Sequence, residues 1–244
     1  MSVKTRARDA IRKVGLEAPA RRVLEVRDPV RRRDRIDNER LRLLLAFTLQ
    51  VDSACIDIGS NHGSALADMV ELAPEGKHMA FEPIPELAQD LRRRFPRVDV
   101  VQGALADARG TTRFSHVVNE DGLSGLKDRD LAAGHSIRHF DVDVMRLDDV
   151  VPAELVPRLV KIDVEGAERQ VLEGALGTLR RHRPVLWFEH GHVQASFYGT
   201  TSNDVWDLLA DVGYRIFDSD GSGPYSREGF GALAGVPIWN FVAH

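Results

Sequence analysis

A glycine turn follows the first apolar run of the chain. The residues Asp57-Ile-Gly59-Ser-Asn61-His-Gly63 combine an acid, an amide and two glycines. Glycine lets the backbone turn tightly and approach a ligand closely, and the helix that follows offers free N–H groups. The spacing differs from the Gly-x-Gly-x-x-Gly pattern that seats a dinucleotide pyrophosphate. The turn indicates a ligand without phosphates, whose carboxylate and ammonium groups meet the turn and Asp57. A tight strand–helix turn without a ligand is the alternative.

A second acidic residue follows the next apolar run. Glu82-Pro83 ends this run, and Glu82 lies 19 residues after Gly63. An acid at this position in nucleoside-binding α/β folds accepts hydrogen bonds from both ribose hydroxyls. Strand, glycine turn, helix, strand and acid in this order therefore predict a nucleoside site. Ala104 follows the third apolar run, and its position alone places it near an adenine.

Two later apolar runs also end in acidic residues. Asp163 ends the first of them and is followed by Glu165, and Glu189 ends the second and is followed by His190. Side chains at strand ends are placed to reach a ligand. Acids also favour the first turn of a helix, so capping is the alternative role for Glu165.

Apolar runs alternate with amphipathic segments, and this alternation sets the elements that position these residues. Strands are predicted at 54–58, 78–82, 98–102, 159–163, 184–189, 214–217 and 238–242, and helices at 39–49, 64–73, 86–95, 167–181 and 205–212. Continuous apolar strands separated by helices favour a parallel sheet that is covered on both faces. Ligands bind such sheets outside the carboxyl ends of the strands, which is where the acidic residues lie.

Residues 110–147 interrupt this rhythm. Thr112–Val118 and Phe140–Leu147 have the alternation of two strands, and the stretch Asn119–His139 between them is rich in glycine and charge. Irregular stretches of this length are usually functional or disordered. We interpret residues 110–147 as a hairpin insertion that covers a pocket as a lid.

Charge and cysteine content restrict the class of protein. The chain has 244 residues and one cysteine, Cys55, which excludes a disulfide framework and a cysteine-based zinc site. Its N-terminus has no apolar signal core, and the chain has no run of 18 apolar residues that could span a membrane, so we expect a soluble, cytoplasmic protein. Residues 1–40 hold 13 Lys and Arg against 7 Asp and Glu, and the rest holds 20 against 30.

Residues 1–50 are interpreted as a basic helical extension. Packing on the edge of the domain, contact between two copies in a homodimer, and peripheral contact with an anionic membrane are its alternative roles. Nucleic acid is not an expected partner, because residues 1–36 lack aromatic residues for base stacking. Residues 51–244 are then one domain.

Three segments together resemble the FkbM family of S-adenosylmethionine-dependent methyltransferases. They are Asp57–Gly63, Phe81-Glu-Pro-Ile-Pro85 and Val160-Lys-Ile-Asp-Val-Glu-Gly-Ala-Glu168. The resemblance implies an α/β, Rossmann-like class I methyltransferase fold with a mostly parallel seven-stranded sheet, helices on both faces and an antiparallel last strand. It also implies S-adenosylmethionine as cofactor, bound by Asp57, Gly59, Asn61, Gly63, Glu82, Pro83, Ala104 and Asp163. The implied acceptor is a hydroxyl of a sugar, glycolipid or polyketide-type natural product.

An alcohol is a poor nucleophile until a base or a metal activates it. Asp163, Glu165 and His190 are the candidate catalytic residues, with His190 suited to act as a base near neutral pH. Alternatively, Asp163, Glu189 and His190 hold a divalent cation, and oxygen ligands favour Mg²⁺. Hydrogen bonding without chemistry is the third role for His190. Lys161 is interpreted as an ion-pair partner. A nucleic-acid methyltransferase and a non-catalytic cofactor-binding module are the alternative functions.

Overall fold

Short apolar segments form the strands of two sheets. The computed structural model describes residues 29–127 and 134–244. The strands are β1 (Ala54–Ile58), β2 (Met79–Glu82), β3 (Asp99–Gln102), β4 (Ala104–Leu105), β5 (Gly110–Val117), β6 (Ile137–Met145), β7 (Pro157–Ile162), β8 (Val185–Glu189), β9 (Ile216–Asp218) and β10 (Asn240–Ala243).

Helices connect most of these strands. They are α1 (Pro29–Thr48), α2 (Ser64–Leu72), α3 (Pro85–Arg94), α4 (Leu147–Val150), α5 (Glu168–Glu173), α6 (Leu176–His182), α7 (His192–Ser196), α8 (Ser202–Asp211) and α9 (Arg227–Gly231). A short 3₁₀ turn covers Asp121–Leu123. No helix in the described parts of the chain is long and apolar enough to cross a bilayer.

The main sheet has seven strands in the order β3-β2-β1-β7-β8-β10-β9. β1 pairs in parallel with β2 and β7, and β7 pairs in parallel with β8. β10 runs antiparallel to both of its neighbours. The predicted class I methyltransferase fold, with its antiparallel last strand, is confirmed. The strand order reverses direction between β1 and β7, and such a switch point is where open α/β sheets bind ligands.

Successive residues of the central strands enter different cores. Ile56 and Val160 are buried in one core, while Cys55 and Leu159 are buried in another. Because successive side chains of a strand point to opposite faces, the two cores lie on opposite faces of the sheet. Helices supply residues to both. This arrangement explains why the strands are apolar throughout rather than alternating.

The two strands of the hairpin insertion, β5 and β6, form a second, three-stranded sheet with β4, in the order β4-β6-β5. β5 and β6 pair antiparallel over their length, from Gly110 opposite Val144 to Val117 opposite Ile137. The two predicted strands of the insertion are therefore present, with slightly different ends. The chain after β5 folds back, and Gly125 forms a bridge with Ser115.

The prediction of one helix over residues 167–181 is wrong, because the chain breaks at Gly174 into α5 and α6. A Cβ atom at Gly174 would lie 2.1 Å from the carbonyl oxygen of Ala106, so the chain needs glycine at this close approach. The Asp148 carboxylate accepts a hydrogen bond from Gly177 N at 2.7 Å. This bond satisfies an N–H group that has no partner within α6 and stabilises the start of α6.

Leu41–His244 form one compact unit, and of the described residues Pro29–Arg40 belong to another. Residues 1–28 of the predicted basic extension lie outside the described residues. From Pro29 to Arg40 the extension is helical, with the i,i+4 ion pairs Arg33–Asp37 and Arg35–Glu39.

Candidate functional site

A cleft opens at the carboxyl ends of β1, β2, β7 and β8. The space between its walls is about 770 Å³, counted together with the part open to solvent. Most of the predicted site residues line it, namely Gly59, Asn61, Glu82, Pro83, Ala104, Asp163, Glu165 and Glu189. The remaining three, Asp57, Gly63 and His190, are not among the residues that line it.

Gly59 brings the turn after β1 against the end of β7. Its φ is +75°, and a Cβ atom there would lie 1.8 Å from the carbonyl oxygen of Asp163. The backbone N–H groups of Gly59 and Ser60 both donate to Phe81 O, at 3.0 and 3.1 Å. The turn is thus held between β2 and β7, and only glycine fits its first position.

Gly63 has a packing role instead of a place in the cleft. Its φ is +73°, and a Cβ atom there would lie 2.6 Å from Leu91 Cδ2 on α3. Glycine therefore lets the start of α2 approach α3. The helix contact is thus a second reason for glycine at this position, and the predicted cofactor contact of Gly63 stays a prediction.

Asn61 and Glu82 form the corner of the cleft between β1 and β2. Asn61 N donates to Glu82 Oε2 at 2.7 Å, and Ile84 N donates to Glu82 Oε1 at 2.9 Å. Burial raises the pKa of the Glu82 carboxyl to about 7, although the two N–H donors oppose the shift. Asn61 adopts φ +48°, and its Oδ1 is buried without a hydrogen-bond partner among the described residues. Both side chains can still accept hydrogen bonds from a ligand.

Asp57 lies beneath the turn and forms an ion pair with Lys161. Lys161 Nζ lies 3.3 Å from Asp57 Oδ1 and 3.3 Å from Asp163 Oδ2, and it donates to Gly59 O at 3.1 Å. Burial opposes the charge of the ammonium, but the charges of the two carboxylates outweigh it and raise the Lys161 pKa. The interpretation of Lys161 as an ion-pair partner is confirmed. Its cation also orients Asp163 at the cleft.

Three carboxylates converge at the ends of β7 and β8. One oxygen each of Asp163, Glu165 and Glu189 lies within 4.8 Å of the other two. Glu165 adopts φ +58°, and Glu168 Oε1 accepts a hydrogen bond from Gly166 N at 2.8 Å, which holds this turn. Burial raises the pKa of Glu189 well above its usual value, and the charges of Asp163 and Glu165 add to the shift.

His190 is turned away from this group. Its Nε2 lies 2.9 Å from Ser202 Oγ, and its ring stacks on Phe230 with centroids 5.5 Å apart. His190 N donates to Trp239 O, so the chain is still extended here and its side chain points opposite to that of Glu189. The structure therefore brings Glu165, rather than His190, together with Asp163 and Glu189.

The hairpin insertion supplies a wall of the cleft. The wall residues from the insertion are Phe114, Asp121, Gly122, Ser124, Gly125 and Leu126. Tyr198, which follows α7, accepts a hydrogen bond from Leu126 N at 3.1 Å. The sequence indicated that this segment covers a pocket. It did not indicate which residues do so, because the fold-back after β5 has no periodic signal.

The sequence profile of the FkbM methyltransferase domain matches residues 57–216. The chain belongs to the FkbM methyltransferase family. The FkbM match begins in β1, ends at β9 and contains every residue that lines the cleft. The predicted resemblance is thereby confirmed.

Named relatives of this FkbM chain cover only part of it. The 2-O-methyltransferase NoeI of Sinorhizobium fredii is 30% identical over 163 residues, which are 58% of this chain and 65% of that protein. Methyltransferase sdnD of Sordaria araneosa is 29% identical over 153 residues, 49% of this chain and 59% of that protein. The FkbM chain thus spans less than two thirds of either relative.

A crystal structure of an FkbM methyltransferase from Methylobacillus flagellatus aligns with 80% of this chain and 45% of its own chain, at 18% identity and a TM-score of 0.48.

Proposed function

We propose that the protein is an S-adenosylmethionine-dependent O-methyltransferase that acts on a hydroxyl of a sugar, glycolipid or polyketide-type natural product. The observation that carries the proposal is the convergence of Asp163, Glu165 and Glu189 at one end of the cleft. Carboxylates accept hydrogen bonds from hydroxyls and can remove their protons. The relative NoeI is a 2-O-methyltransferase, which supports the same acceptor chemistry.

The corner formed by Asn61 and Glu82 fits the cofactor. The unpartnered Asn61 Oδ1 suits a donor such as an ammonium group, and Glu82 suits a pair of ribose hydroxyls. Pro83 and Ala104 continue this wall and are assigned to the adenosine part. When bound, S-adenosylmethionine would supply an electrophilic methyl group on a sulfonium, and S-adenosylhomocysteine would leave as the carbon–sulfur bond breaks and the acceptor oxygen takes the methyl group.

Glu189 is assigned as the base for the acceptor hydroxyl. Its carboxyl has a raised pKa, which makes it a stronger base than an exposed carboxylate. Glu189 would accept the hydroxyl proton of the acceptor as the methyl group is transferred to the acceptor oxygen. Asp163, oriented by Lys161 at 3.3 Å, accepts a hydrogen bond from the acceptor and fixes its position.

The three carboxylates of the cleft could alternatively bind a divalent cation. Asp163, Glu165 and Glu189 present three oxygens close enough to share one ion, and hard oxygen ligands suit Mg²⁺. The ion would lower the pKa of the acceptor hydroxyl. His190, a predicted ligand, lies on the Ser202 side and is left out of this set.

The two other functions are less well supported. The acidic cluster at the cleft repels the phosphates of a nucleic acid. A non-catalytic module would not need the raised pKa of the Glu189 carboxyl in the cleft. Binding of RNA or DNA that weakens steeply with salt would favour the former. Tight binding of S-adenosylhomocysteine without methyl transfer to any acceptor would favour the latter.

The test is transfer of labelled methyl from S-adenosylmethionine. The protein is incubated with the labelled cofactor and a cell extract, with and without EDTA, and labelled products are identified by mass spectrometry. We expect an O-methylated small molecule or glycoside. Label confined to nucleic acid, or no binding of S-adenosylhomocysteine in calorimetry, would contradict the proposal. Turnover unchanged by EDTA would eliminate the cation.

A further inference from the structure

The carboxylate of Asp121 is held from two sides at the edge of the cleft. Its Oδ1 lies 2.6 Å from His116 Nε2 on β5, and its Oδ2 lies 3.2 Å from His62 Nε2 in the glycine turn. Asp121 lines the cleft, and its side chain is 23% exposed. Each oxygen of a carboxylate can accept two hydrogen bonds. Asp121 therefore keeps acceptor capacity toward the cleft.

A charge network fixes the orientation of His116. Arg138 Nη2 lies 3.3 Å from His116 Nδ1, and the Arg138 guanidinium also forms two bonds to Glu86, at 2.7 and 2.8 Å. A guanidinium only donates, so we assign Nδ1 as the acceptor and the hydrogen to Nε2. His116 then donates to Asp121. The side chain of His116 is nearly buried, so its N–H keeps the Asp121 carboxylate, which accepts this hydrogen bond, in one orientation.

The network joins the hairpin insertion to the cofactor corner. His62 directly follows Asn61 in the turn, and Gly122 directly follows Asp121. A Cβ atom at Gly122 would lie 3.9 Å from Asn61 Nδ2. The 3₁₀ turn of the insertion thus lies next to Asn61, whose backbone N–H bonds to Glu82. Asp121 is therefore placed on the cofactor side of the cleft.

We propose that Asp121 is a cofactor-binding residue supplied by the hairpin insertion, and that its carboxylate accepts a hydrogen bond from a hydroxyl or ammonium group of S-adenosylmethionine. His62 and His116 are positioning residues for this carboxylate. The inference rests on the proposed function for the identity of the cofactor. It assigns the insertion a role in holding the cofactor, in addition to covering the acceptor.

The test is calorimetric titration of the full chain and its Asp121→Ala and Asp121→Asn variants with S-adenosylhomocysteine and with 5′-methylthioadenosine, which lacks the amino-acid part. We expect Asp121→Ala to weaken the binding of S-adenosylhomocysteine about tenfold or more, which is the effect of losing a hydrogen bond to a charged group. Asp121→Asn keeps the shape and should lose less. An equal loss with methylthioadenosine places the contact on the ribose, and no loss there places it on the ammonium.

His139→Ala is the matched control, because His139 is an exposed residue of the same hairpin and is not among the residues that line the cleft. It should bind S-adenosylhomocysteine as the wild type does. His62→Ala should weaken binding by a smaller factor than Asp121→Ala. Thermal melting of each variant identifies loss of folding. Wild-type affinity in a folded Asp121→Ala variant would overturn the inference. Failure of the wild type to bind S-adenosylhomocysteine would instead contradict the proposed function.

Discussion

Lys161 and Asp57 are register partners on β7 and β1, and their charged groups lie 3.3 Å apart beneath the glycine turn. Asp57 is fully buried and the Lys161 side chain is 11% exposed. Removing one partner of a buried ion pair leaves the other charge without compensation. This pair therefore couples the stability of the sheet to the shape of the turn that it supports.

Replacement of Lys161 by methionine should lower the free energy of unfolding by about 3–5 kcal/mol, measured by urea denaturation at pH 7. The double variant Lys161→Met/Asp57→Asn should recover part of the loss, because no buried charge is then left alone. Arg109→Met removes an exposed pair with Asp149 and should cost at most about 1 kcal/mol. Equal losses in Lys161→Met and Arg109→Met would show that the buried charge does not control stability.

Binding of S-adenosylhomocysteine should strengthen as pH rises from 6 to 8. Burial raises the pKa of Glu82 to about 7, so the free protein is mostly protonated at this residue at the lower pH. Hydrogen bonds donated by the ligand favour the ionised carboxylate, and binding then releases a proton. Calorimetry in buffers of different ionisation enthalpy measures this release. The Glu82→Gln variant should bind weakly and without pH dependence, and a wild-type affinity that is flat over this range would contradict the assignment.

The Glu82 carboxyl also makes the stability of the unliganded protein depend on pH. The folded state keeps its proton up to a pKa of about 7, while the unfolded chain loses it near the usual value of 4.5. The stabilisation is fully present below pH 4.5 and is lost as pH rises through about 7. The Glu82→Gln variant should lack this component in urea denaturation series across the range.

Gly63→Ala should destabilise the protein more than Gly199→Ala does. Both glycines have left-handed φ values, +73° and +67°, and each substitution should cost about 1–2 kcal/mol for that conformation. At Gly63 the new methyl also meets Leu91, whereas nothing lies within 4 Å at Gly199. Overpacking adds about 1–3 kcal/mol. Thermal denaturation compares the variants.

The affinity of folded Gly63→Ala for S-adenosylhomocysteine should stay near that of the wild type, because Gly63 packs on α3 and is not among the residues that line the cleft. A large loss of affinity without extra destabilisation would instead support the ligand contact that the sequence pattern suggested.

Glu189→Gln and His190→Gln should differ in activity, although the residues are neighbours. Loss of the base should reduce kcat by about 10²–10⁴ with little change in affinity for S-adenosylhomocysteine. His190 bonds to Ser202 and stacks on Phe230, so its replacement should reduce kcat less than about tenfold and lower the melting temperature. Equal losses of kcat in the two variants would instead support His190 as the base.

Sequence patterns were sufficient for the strands and for the edge of the sheet that carries the site. The apolar runs that end in Asp163 and Glu189 became β7 and β8, and the acids lie at the carboxyl ends as predicted. The patterns were insufficient for the helix break at Gly174, because the break depends on a backbone contact with Ala106 that lies far away in sequence. Helical periodicity continues across such a contact without a signal.

The sequence by itself determined the family, the parallel sheet and the acidic residues that follow its strands, since these depend on residue types at short spacing. Tertiary structure alone decided which of them share the cleft. Strand alternation at Glu189 turned His190 toward Ser202. The turn after β7, held by the bond from Gly166 N to Glu168 Oε1, brought Glu165 together with Asp163 and Glu189. Tertiary structure also decided that Asp57 pairs with Lys161 beneath the turn and that Asp121 meets His62 beside Asn61. Such contacts join residues from separate strands and loops. The local spacing of residues in the sequence does not determine the distances between them.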